Sequence, residues 1–196
     1  MAGVILAAGS SRRLGTPKQL LPLDGRPLLQ HAVDAVHAAG VTPIVVVLGH
    51  ASDDVRAALR LPPGARTVVN PDHAHGQSTS LRAAILHLEE TGPPVDAVVV
   101  ALGDQPRLRP DAVRALVAAH ARGGARILQA RYGGRPGHPV LITRDAFPDI
   151  LAVTGDQGAR AVIAADPGAV AGVEVGGDPP DDVDTPADYA RLTGRD

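Results

Sequence analysis

The sequence predicts an α/β fold in which helices cover both faces of a sheet. Short runs of β-branched and other apolar residues alternate along the chain with stretches whose apolar residues recur at helical spacing. The β-branched runs also lie too close to glycine-rich loops for an all-helical fold. Alternation of this kind is typical of α/β proteins, in which helices pack on a sheet.

The N-terminal half contains alternating strands and helices that apolar patterning and capping residues define. A helix over residues 27–39 stops at Gly40, a second begins at Ser52 as its N-cap and runs to residue 60, and a third spans residues 78–90. The run at 44–48 is continuous and β-branched, as in central strands. The predicted strands of this half are residues 4–8, 44–48, 67–69 and 95–102.

The C-terminal half continues the same alternation. A helix over residues 110–120 begins at Pro110, which suits the first helical position, and glycines 123 and 124 stop it. A final helix begins at Thr185 with Pro186 in its first position. The other predicted elements are strands at residues 127–130, 139–142 and 170–175, a loop at 131–138, and short helices at 145–151 and 157–165.

Composition excludes several classes of function. The 196 residues fit one domain, so we expect residues 1–196 to form a single unit. The absence of cysteine excludes disulfides, zinc–thiolate sites, iron–sulfur clusters and thiol nucleophiles. A net charge of -2 and 2% aromatic residues do not predict a nucleic-acid partner. No apolar run reaches the roughly 18 residues of a membrane span, and the N-terminus lacks the charged start of a secretory signal, so a cytoplasmic location is expected.

The first motif with chemical content is LAAGSSRRLGTPK at residues 6–18, directly after a predicted strand. Its small residues allow the backbone to approach a ligand and direct N–H groups at phosphate oxygens. Arg13 and a solvent-facing Lys18 can then neutralise phosphate charge. The spacing of Gly9 and Gly15 is one residue too long for a Walker loop. An ordinary glycine-rich turn with exposed arginines is the alternative.

Two carboxylate motifs follow. Asp104 lies in LGDQP at the end of a strand, where α/β folds bind ligands, and carboxylate oxygens suit Mg²⁺ on substrate phosphates. The alternative is a turn-forming aspartate before a proline. Residues 181–186, DDVDTP, carry three carboxylates in four residues, which repel each other unless a cation or solvent intervenes. This stretch is either a metal contact or a solvated acidic loop.

The remaining polar stretches are weaker signals. The hydroxyl-rich helix start near Gly76 and Ser80 can hydrogen-bond a base edge, and two glycine-rich loops at 133–140 and 155–160 can hold an anionic second substrate or simply form turns. His73 and His75 are spaced to share one face of a strand, but no third ligand accompanies them, so zinc is not expected. No GxSxG elbow is present to anchor a hydrolase triad.

In their order and spacing these motifs resemble the nucleotidyltransferases of molybdenum cofactor maturation, and the molybdenum cofactor cytidylyltransferase family in particular. The motifs that carry the resemblance are LAAG-x-S-x-R-x-G-x-x-K at 6–18, GD-x-P at 103–106, GHPV at 137–140, GD-x-GAR at 155–160 and D-x-DTP at 182–186. The resemblance covers almost the whole chain. Gln105 departs from it, because many relatives resemble GDMP at this point, and the departure leaves the acceptor open.

The resemblance implies a fold and an activity. The fold is a three-layer Rossmann-like α/β domain with a mixed, mostly parallel sheet, the nucleotide-diphospho-sugar transferase fold. The activity is transfer of CMP from CTP to the terminal phosphate of the molybdenum–molybdopterin cofactor, with Mg²⁺ and with release of pyrophosphate. The cytidylyl branch resembles LAAG and the guanylyl branch LAGG, so the sequence favours CTP. A client molybdoenzyme is a further implied partner.

The resemblance also assigns roles to residues of this chain. The expected catalytic residues are Arg13, Lys18 and Asp104; nucleotide contacts are Leu6, Ala7, Ala8, Gly9, Ser10, Ser11, Gly76 and Ser80; acceptor contacts are Arg135, His138 and Arg160; Mg²⁺ ligands are Asp104 and Asp184, with Asp182 as the alternative second ligand. Three other activities stay open: a guanylyltransferase, a cytidylyltransferase for another phosphorylated acceptor, and a non-catalytic cofactor chaperone.

Overall fold

Seven strands form one sheet in the computed structural model, which describes residues 1–11, 14–154, 162–164 and 166–194. The described residues contain nine strands, of which β2 and β3 lie outside this sheet: β1 (Ala2–Ala7), β2 (Pro22–Leu23), β3 (Arg26–Pro27), β4 (Ile44–Leu48), β5 (Ala65–Val69), β6 (Ala97–Leu102), β7 (Ile127–Tyr132), β8 (Arg135–Thr143) and β9 (Val170–Glu174). The sheet order is β5-β4-β1-β6-β8-β7-β9, and β2 pairs with β3 in a separate hairpin. Among the described strands of the sheet, β8 alone runs against the others. The mixed, mostly parallel sheet is therefore confirmed.

Helices cover both faces of this sheet. They are α1 (Leu28–Ala38), α2 (Ser52–Ala58), α3 (Gln77–Thr91), α4 (Pro110–Ala121), α5 (Phe147–Ala152) and α6 (Pro186–Thr193). Alternate residues of each strand point to opposite faces, so Ile5 packs with α1 and α4 while Val4 packs with α3 and α5. Each fully buried valine, leucine or isoleucine stabilises the fold by about 1.5–3 kcal/mol relative to exposure. The predicted three layers are confirmed.

The carboxyl ends of β1, β4 and β6 lie side by side in the sheet. Glycine follows β4 and β6 for a steric reason: a Cβ on Gly49 would lie 2.5 Å from the Ala8 carbonyl oxygen, and one on Gly103 would lie 2.8 Å from the Ala7 Cβ. Only glycine lets the loops after these strands approach the loop after β1 so closely. The three loops therefore meet at one edge of the sheet.

Two hairpins were not predicted from the sequence. Residues 131–138 were expected to be a loop, but most of them belong to β7 and β8, which turn at Gly133 and Gly134 with φ angles of 57° and 79°. The second hairpin, β2–β3, turns at Asp24 and Gly25 with φ angles of 48° and 76°. Both pairs have the positive φ angles of a two-residue hairpin turn, which Gly-Gly and Asp-Gly favour. The density of glycine and proline hid the strand character of both segments.

Of the two predicted N-cap residues, the structure confirms one and contradicts the other. The expected cap at Ser52 is wrong: Ala51 precedes α2 in a left-handed conformation, with φ 55° and no side-chain cap bond. The expected cap at Thr185 is confirmed, because Thr185 and Asp188 form a reciprocal capping box and Pro186 begins α6. Most of the helix predicted at 157–165 lies outside the described residues. Among the described helices, none is long and apolar enough to cross a membrane.

Candidate active site

The glycine-rich loop after β1 is held in place by Gln19. Its side-chain amide is 2% exposed and donates to the Ala7 carbonyl at 2.7 Å and to the Gly9 carbonyl at 3.1 Å. Ser11, at φ 50°, accepts a hydrogen bond from the Lys18 backbone N–H at 3.0 Å. These bonds draw residues 17–19 back against the end of β1, so Lys18 lies beside the strand ends. Sequence reasoning missed Gln19, whose only signal was an amide just after the motif.

Lys18 bridges the two carboxylates that were expected to bind a metal. Its Nζ donates to Asp104 Oδ2 at 2.6 Å and to Asp184 Oδ1 at 2.7 Å. Burial alone would lower the pKa of the ammonium, but the carboxylates of Asp104 and then Asp184 outweigh it and raise the pKa above 10.5. The expectation of a solvent-facing Lys18 is wrong, because its side chain is only 13% exposed. Lys18 is thus a charged, partly buried partner of both carboxylates.

The acidic loop at 181–184 is seated against the end of β6. The Val183 N–H donates to the Asp104 carbonyl at 3.0 Å, and the buried Gln105 amide donates to Asp182 Oδ1 at 2.8 Å. Burial raises the pKa of Asp182, and the charges of Asp104 and Asp184 act in the same direction. The Asp182 carboxylate is thus bound by the Gln105 amide, whereas Asp184 lines the cleft.

The start of α6 fixes the other side of this loop. Asp188 Oδ2 accepts hydrogen bonds from the Asp184 N–H at 3.1 Å, the Thr185 N–H at 2.8 Å and the Thr185 hydroxyl at 2.8 Å. These bonds, the hydroxyl first, lower the pKa of Asp188 to about 2. Asp188 thus stays ionised at neutral pH and anchors the backbone that carries Asp184.

A divalent cation fits the two carboxylates of the cleft. Asp104 Oδ1 is buried and accepts no hydrogen bond from the described residues, so it has an unused lone pair. Two carboxylates from the protein, completed by phosphate oxygens and water, are a donor set that Mg²⁺ accepts. Within the described ranges no three histidine or acidic side chains cluster as a metal site. The expectation that His73 and His75 share one face of a strand is wrong, because both lie in one turn of 3₁₀ helix.

The strand-end loops and the acidic loop enclose one cleft of about 540 Å³. Most of the predicted site residues line it. They are Leu6, Ala7, Ala8, Gly9, Ser10, Ser11, Lys18, Gly76, Ser80, Asp104 and Asp184. Gln19, His73, Ala74 and Gln77 also line the cleft, although sequence reasoning did not assign them.

Asn70 directly follows β5, three places from β6 and its Asp104 in the order of the sheet, and it positions Ser80 of the cleft. The Asn70 side chain is 2% exposed and donates to Thr79 Oγ1 at 2.8 Å and to Ser80 Oγ at 3.0 Å. Its own Oδ1 accepts from the Asp72 N–H at 3.0 Å. Because Ser80 Oγ accepts a bond from Asn70, its hydroxyl proton is directed elsewhere.

The expected acceptor contacts lie apart from the cleft. Arg135, 70% exposed, is 3.9 Å from the Asp178 carboxylate on the β7–β8 hairpin side. The His138 carbonyl accepts a hydrogen bond from the Tyr132 hydroxyl at 2.6 Å. Neither Arg135 nor His138 lines the cleft. Arg13 and Arg160 lie outside the described residues.

Comparison with known proteins identifies relatives over most of the chain. The chain is 36% identical over 178 residues to nicotine blue oxidoreductase of Paenarthrobacter nicotinovorans, covering 85% of this chain and 83% of the relative. It is 31% identical over 198 residues to the purine catabolism protein PucB of Bacillus subtilis, covering 96% and 94%. The names of these two relatives describe different chemistry.

Solved structures match the whole fold. Rv0371c from Mycobacterium tuberculosis superposes with a TM-score of 0.86 at 35% identity, covering 98% of this chain and 97% of that one. A manganese complex of Rv0371c gives a TM-score of 0.83 at 33% identity, covering 98% and 97%. The sequence profile of the MobA-like NTP transferase domain matches residues 3–170. The chain therefore belongs to the MobA-like NTP transferase family and is a nucleotidyltransferase.

Proposed function

We propose that this nucleotidyltransferase transfers CMP from CTP to the terminal phosphate of the molybdenum–molybdopterin cofactor and releases pyrophosphate. One observation carries the proposal: a small-residue loop, Lys18 and two carboxylates converge on a single cleft. Backbone N–H groups of such a loop suit a triphosphate, and the carboxylates suit its metal. The five motifs shared with the molybdenum cofactor cytidylyltransferase family support the choice of acceptor.

The chemistry needs no general base from the protein. A phosphomonoester has a second pKa near roughly 6, so the attacking phosphate is already ionised at neutral pH. The protein's task is to align that phosphate with the α-phosphorus and to neutralise charge. Asp104 and Asp184 would hold Mg²⁺, which supplies Lewis-acid neutralisation of the phosphate oxygens. Lys18 adds a fixed positive charge beside them, and we assign it and Arg13 to the departing pyrophosphate.

The base end of the cleft favours a pyrimidine in this proposal. Ala8 is 6% exposed, and its methyl group narrows the turn after β1 by comparison with a glycine. Ser80 offers a hydroxyl proton to a base edge, because its oxygen already accepts a bond from Asn70. Both features support CTP over GTP.

The acceptor contacts of the proposal imply a large acceptor. Arg135 and His138 lie outside the cleft, so they would meet only the part of an acceptor that extends beyond its attacking phosphate. A tricyclic pterin with a metal dithiolene is of that size. Arg160 is the third contact that we assign to the acceptor.

The test is to supply each of the four ribonucleoside triphosphates and Mg²⁺ with purified molybdopterin cofactor, or with a sugar or polyol phosphate in its place, and to measure pyrophosphate. We expect CTP to give the highest catalytic efficiency. A higher efficiency with GTP would support the guanylyl activity, and activity with a sugar or polyol phosphate alone would support another acceptor. Absence of pyrophosphate with every triphosphate would contradict nucleotidyl transfer and favour a cofactor chaperone.

A further inference from the structure

We propose that His73 reads the exocyclic amine of the bound base and thereby sets a preference for CTP over UTP. This inference rests on the proposed cytidylyl transfer and extends it to a residue with no assigned role. His73 lines the cleft on the 3₁₀ turn between β5 and α3, next to Ala74 and Gly76. Ala8 and Ser80 line the same cleft.

The position of the imidazole ring is fixed by packing. A Cβ on Gly49 would lie 2.6 Å from His73 Cγ and 2.5 Å from the Ala8 carbonyl oxygen. The ring, the Gly49 backbone and the loop after β1 are therefore in close contact. Since Gly49 is the first residue after β4, the ring is pressed against the edge of the sheet and has little freedom to move.

The tautomer of the ring is fixed by a hydrogen bond. His73 Nδ1 lies 3.1 Å from the Asn70 carbonyl oxygen, and a carbonyl can only accept, so Nδ1 carries the hydrogen. Asn70 itself is buried and is held through its side chain by Thr79 and Ser80. In the neutral ring Nε2 then carries a lone pair, and no described residue forms a hydrogen bond with it.

A fixed acceptor distinguishes cytosine from uracil. The two bases have nearly the same size, but cytosine presents an N4 amine where uracil presents the O4 carbonyl. A lone pair on Nε2 accepts a hydrogen bond from the amine and repels the carbonyl oxygen. A site built to pair with one polar group discriminates strongly against its opposite, so we expect about a tenfold preference for CTP. The same contact would not separate cytosine from purines that carry an amine.

The experiment measures dissociation constants of CTP and UTP for the full chain in the presence of Mn²⁺, without any acceptor, by calorimetry. The variants are His73→Phe, which keeps a planar ring and removes both nitrogens, and the control His75→Phe. His75 lies two residues away in the same turn and its side chain is 78% exposed. We expect wild type and His75→Phe to bind CTP about 10-fold more tightly than UTP. We expect His73→Phe to lose CTP affinity, so that its dissociation constants for CTP and UTP differ by less than about 3-fold.

The outcomes separate the inference from the proposed function. A His73→Phe variant that folds, as thermal unfolding shows, and keeps the wild-type ratio overturns the role of His73, as does a wild type that prefers UTP. A wild type that binds neither pyrimidine contradicts both proposals. Retention of the predicted ratios without pyrophosphate release in the presence of any acceptor supports the base contact and contradicts the transfer reaction alone.

Discussion

At the scale of single residues, the account depends on the contact between one ammonium and two carboxylates. Lys18 Nζ lies 2.6 Å from Asp104 Oδ2 and 2.7 Å from Asp184 Oδ1, so three charges share a space that is partly closed to solvent. Asp104 keeps a buried oxygen that no described residue uses. Binding a divalent cation here must therefore change the partners of Lys18, and each charge can be tested separately.

Replacing Asp104 by asparagine removes a metal ligand while keeping the shape of the side chain. If the metal supplies several kcal/mol of transition-state stabilisation, turnover at saturating Mg²⁺ falls by on the order of 10²-fold or more. Asp53→Asn, an exposed position on α2, is the matched control and should leave turnover unchanged. Turnover of Asp104→Asn within a factor of two of wild type would remove Asp104 from the site.

Lys18→Ala should lose most activity, and Lys18→Arg should regain only part of it, because a guanidinium demands planar bidentate geometry that a point charge does not. The alanine variant also leaves two neighbouring carboxylates without their cation. We therefore expect its melting temperature to fall by a few degrees in EDTA and to recover when Mn²⁺ is added. Full turnover of Lys18→Ala, or a melting temperature that Mn²⁺ does not raise, contradicts the assigned role.

At the scale of elements, the acidic loop is placed by contacts at both of its ends. Gln105 and the Asp104 carbonyl hold it against β6, and Asp188 holds it against α6. These contacts fix the loop that carries the Asp184 carboxylate into the cleft. Changes that loosen the loop should weaken metal binding before they affect the fold.

Gln105→Met tests the β6 side. The substitution keeps the side-chain length but removes the donor to Asp182, leaving a half-buried carboxylate without that bond. Because hydrogen bonds to charged groups are among the stronger ones, we expect the Mn²⁺ concentration for half-maximal activity to rise by about 10-fold, with little change at saturation. Gln129→Met on β7 is the control. An unchanged Mn²⁺ requirement in Gln105→Met would show that the bond does not position Asp184.

Asp188 tests the α6 side through pH. Its pKa falls from 3.8 in the unfolded chain to about 2 in the folded one, so the folded state binds this proton less readily. The resulting stability is complete above about pH 4 and is lost as pH falls toward 2. Thermal unfolding of wild type and Asp188→Asn should therefore differ by a constant amount from pH 7 to pH 4, and the difference should shrink below pH 4. A difference that stays constant down to pH 2 contradicts this assignment.

At the scale of the whole molecule, local pattern predicted the elements better than their assembly. The run at 44–48 was predicted as a strand and is one, because continuous β-branched residues have few alternatives in a buried sheet. The predicted strand at 139–142 covers less than half of β8, because the glycine and prolines of β8 are typical of a loop in sequence. No local pattern shows that β8 inserts between β6 and β7.

The site was predictable where its residues follow strands, and not where distant segments meet. Asp104 was expected at a ligand-binding edge because it follows a strong strand. The bridge from Lys18 to Asp104 and Asp184 spans 86 and 166 residues of sequence, so only the folded sheet reveals it. The amide of Gln19 that fastens the loop after β1 was missed for a different reason: its partners are the nearby backbone carbonyls of Ala7 and Gly9, and side-chain identity does not mark which carbonyls accept such bonds.

The central claim, nucleotidyl transfer in this cleft, is tested most directly by following the α-phosphate. The protein is incubated with molybdopterin cofactor, Mg²⁺ and CTP labelled at the α-phosphorus, and the products are separated. The account predicts that label appears in the cofactor fraction in a 1:1 ratio with unlabelled pyrophosphate, and that Asp104→Asn slows its appearance by on the order of 10²-fold. Label that remains in CTP, or that appears only as free CMP, would contradict it.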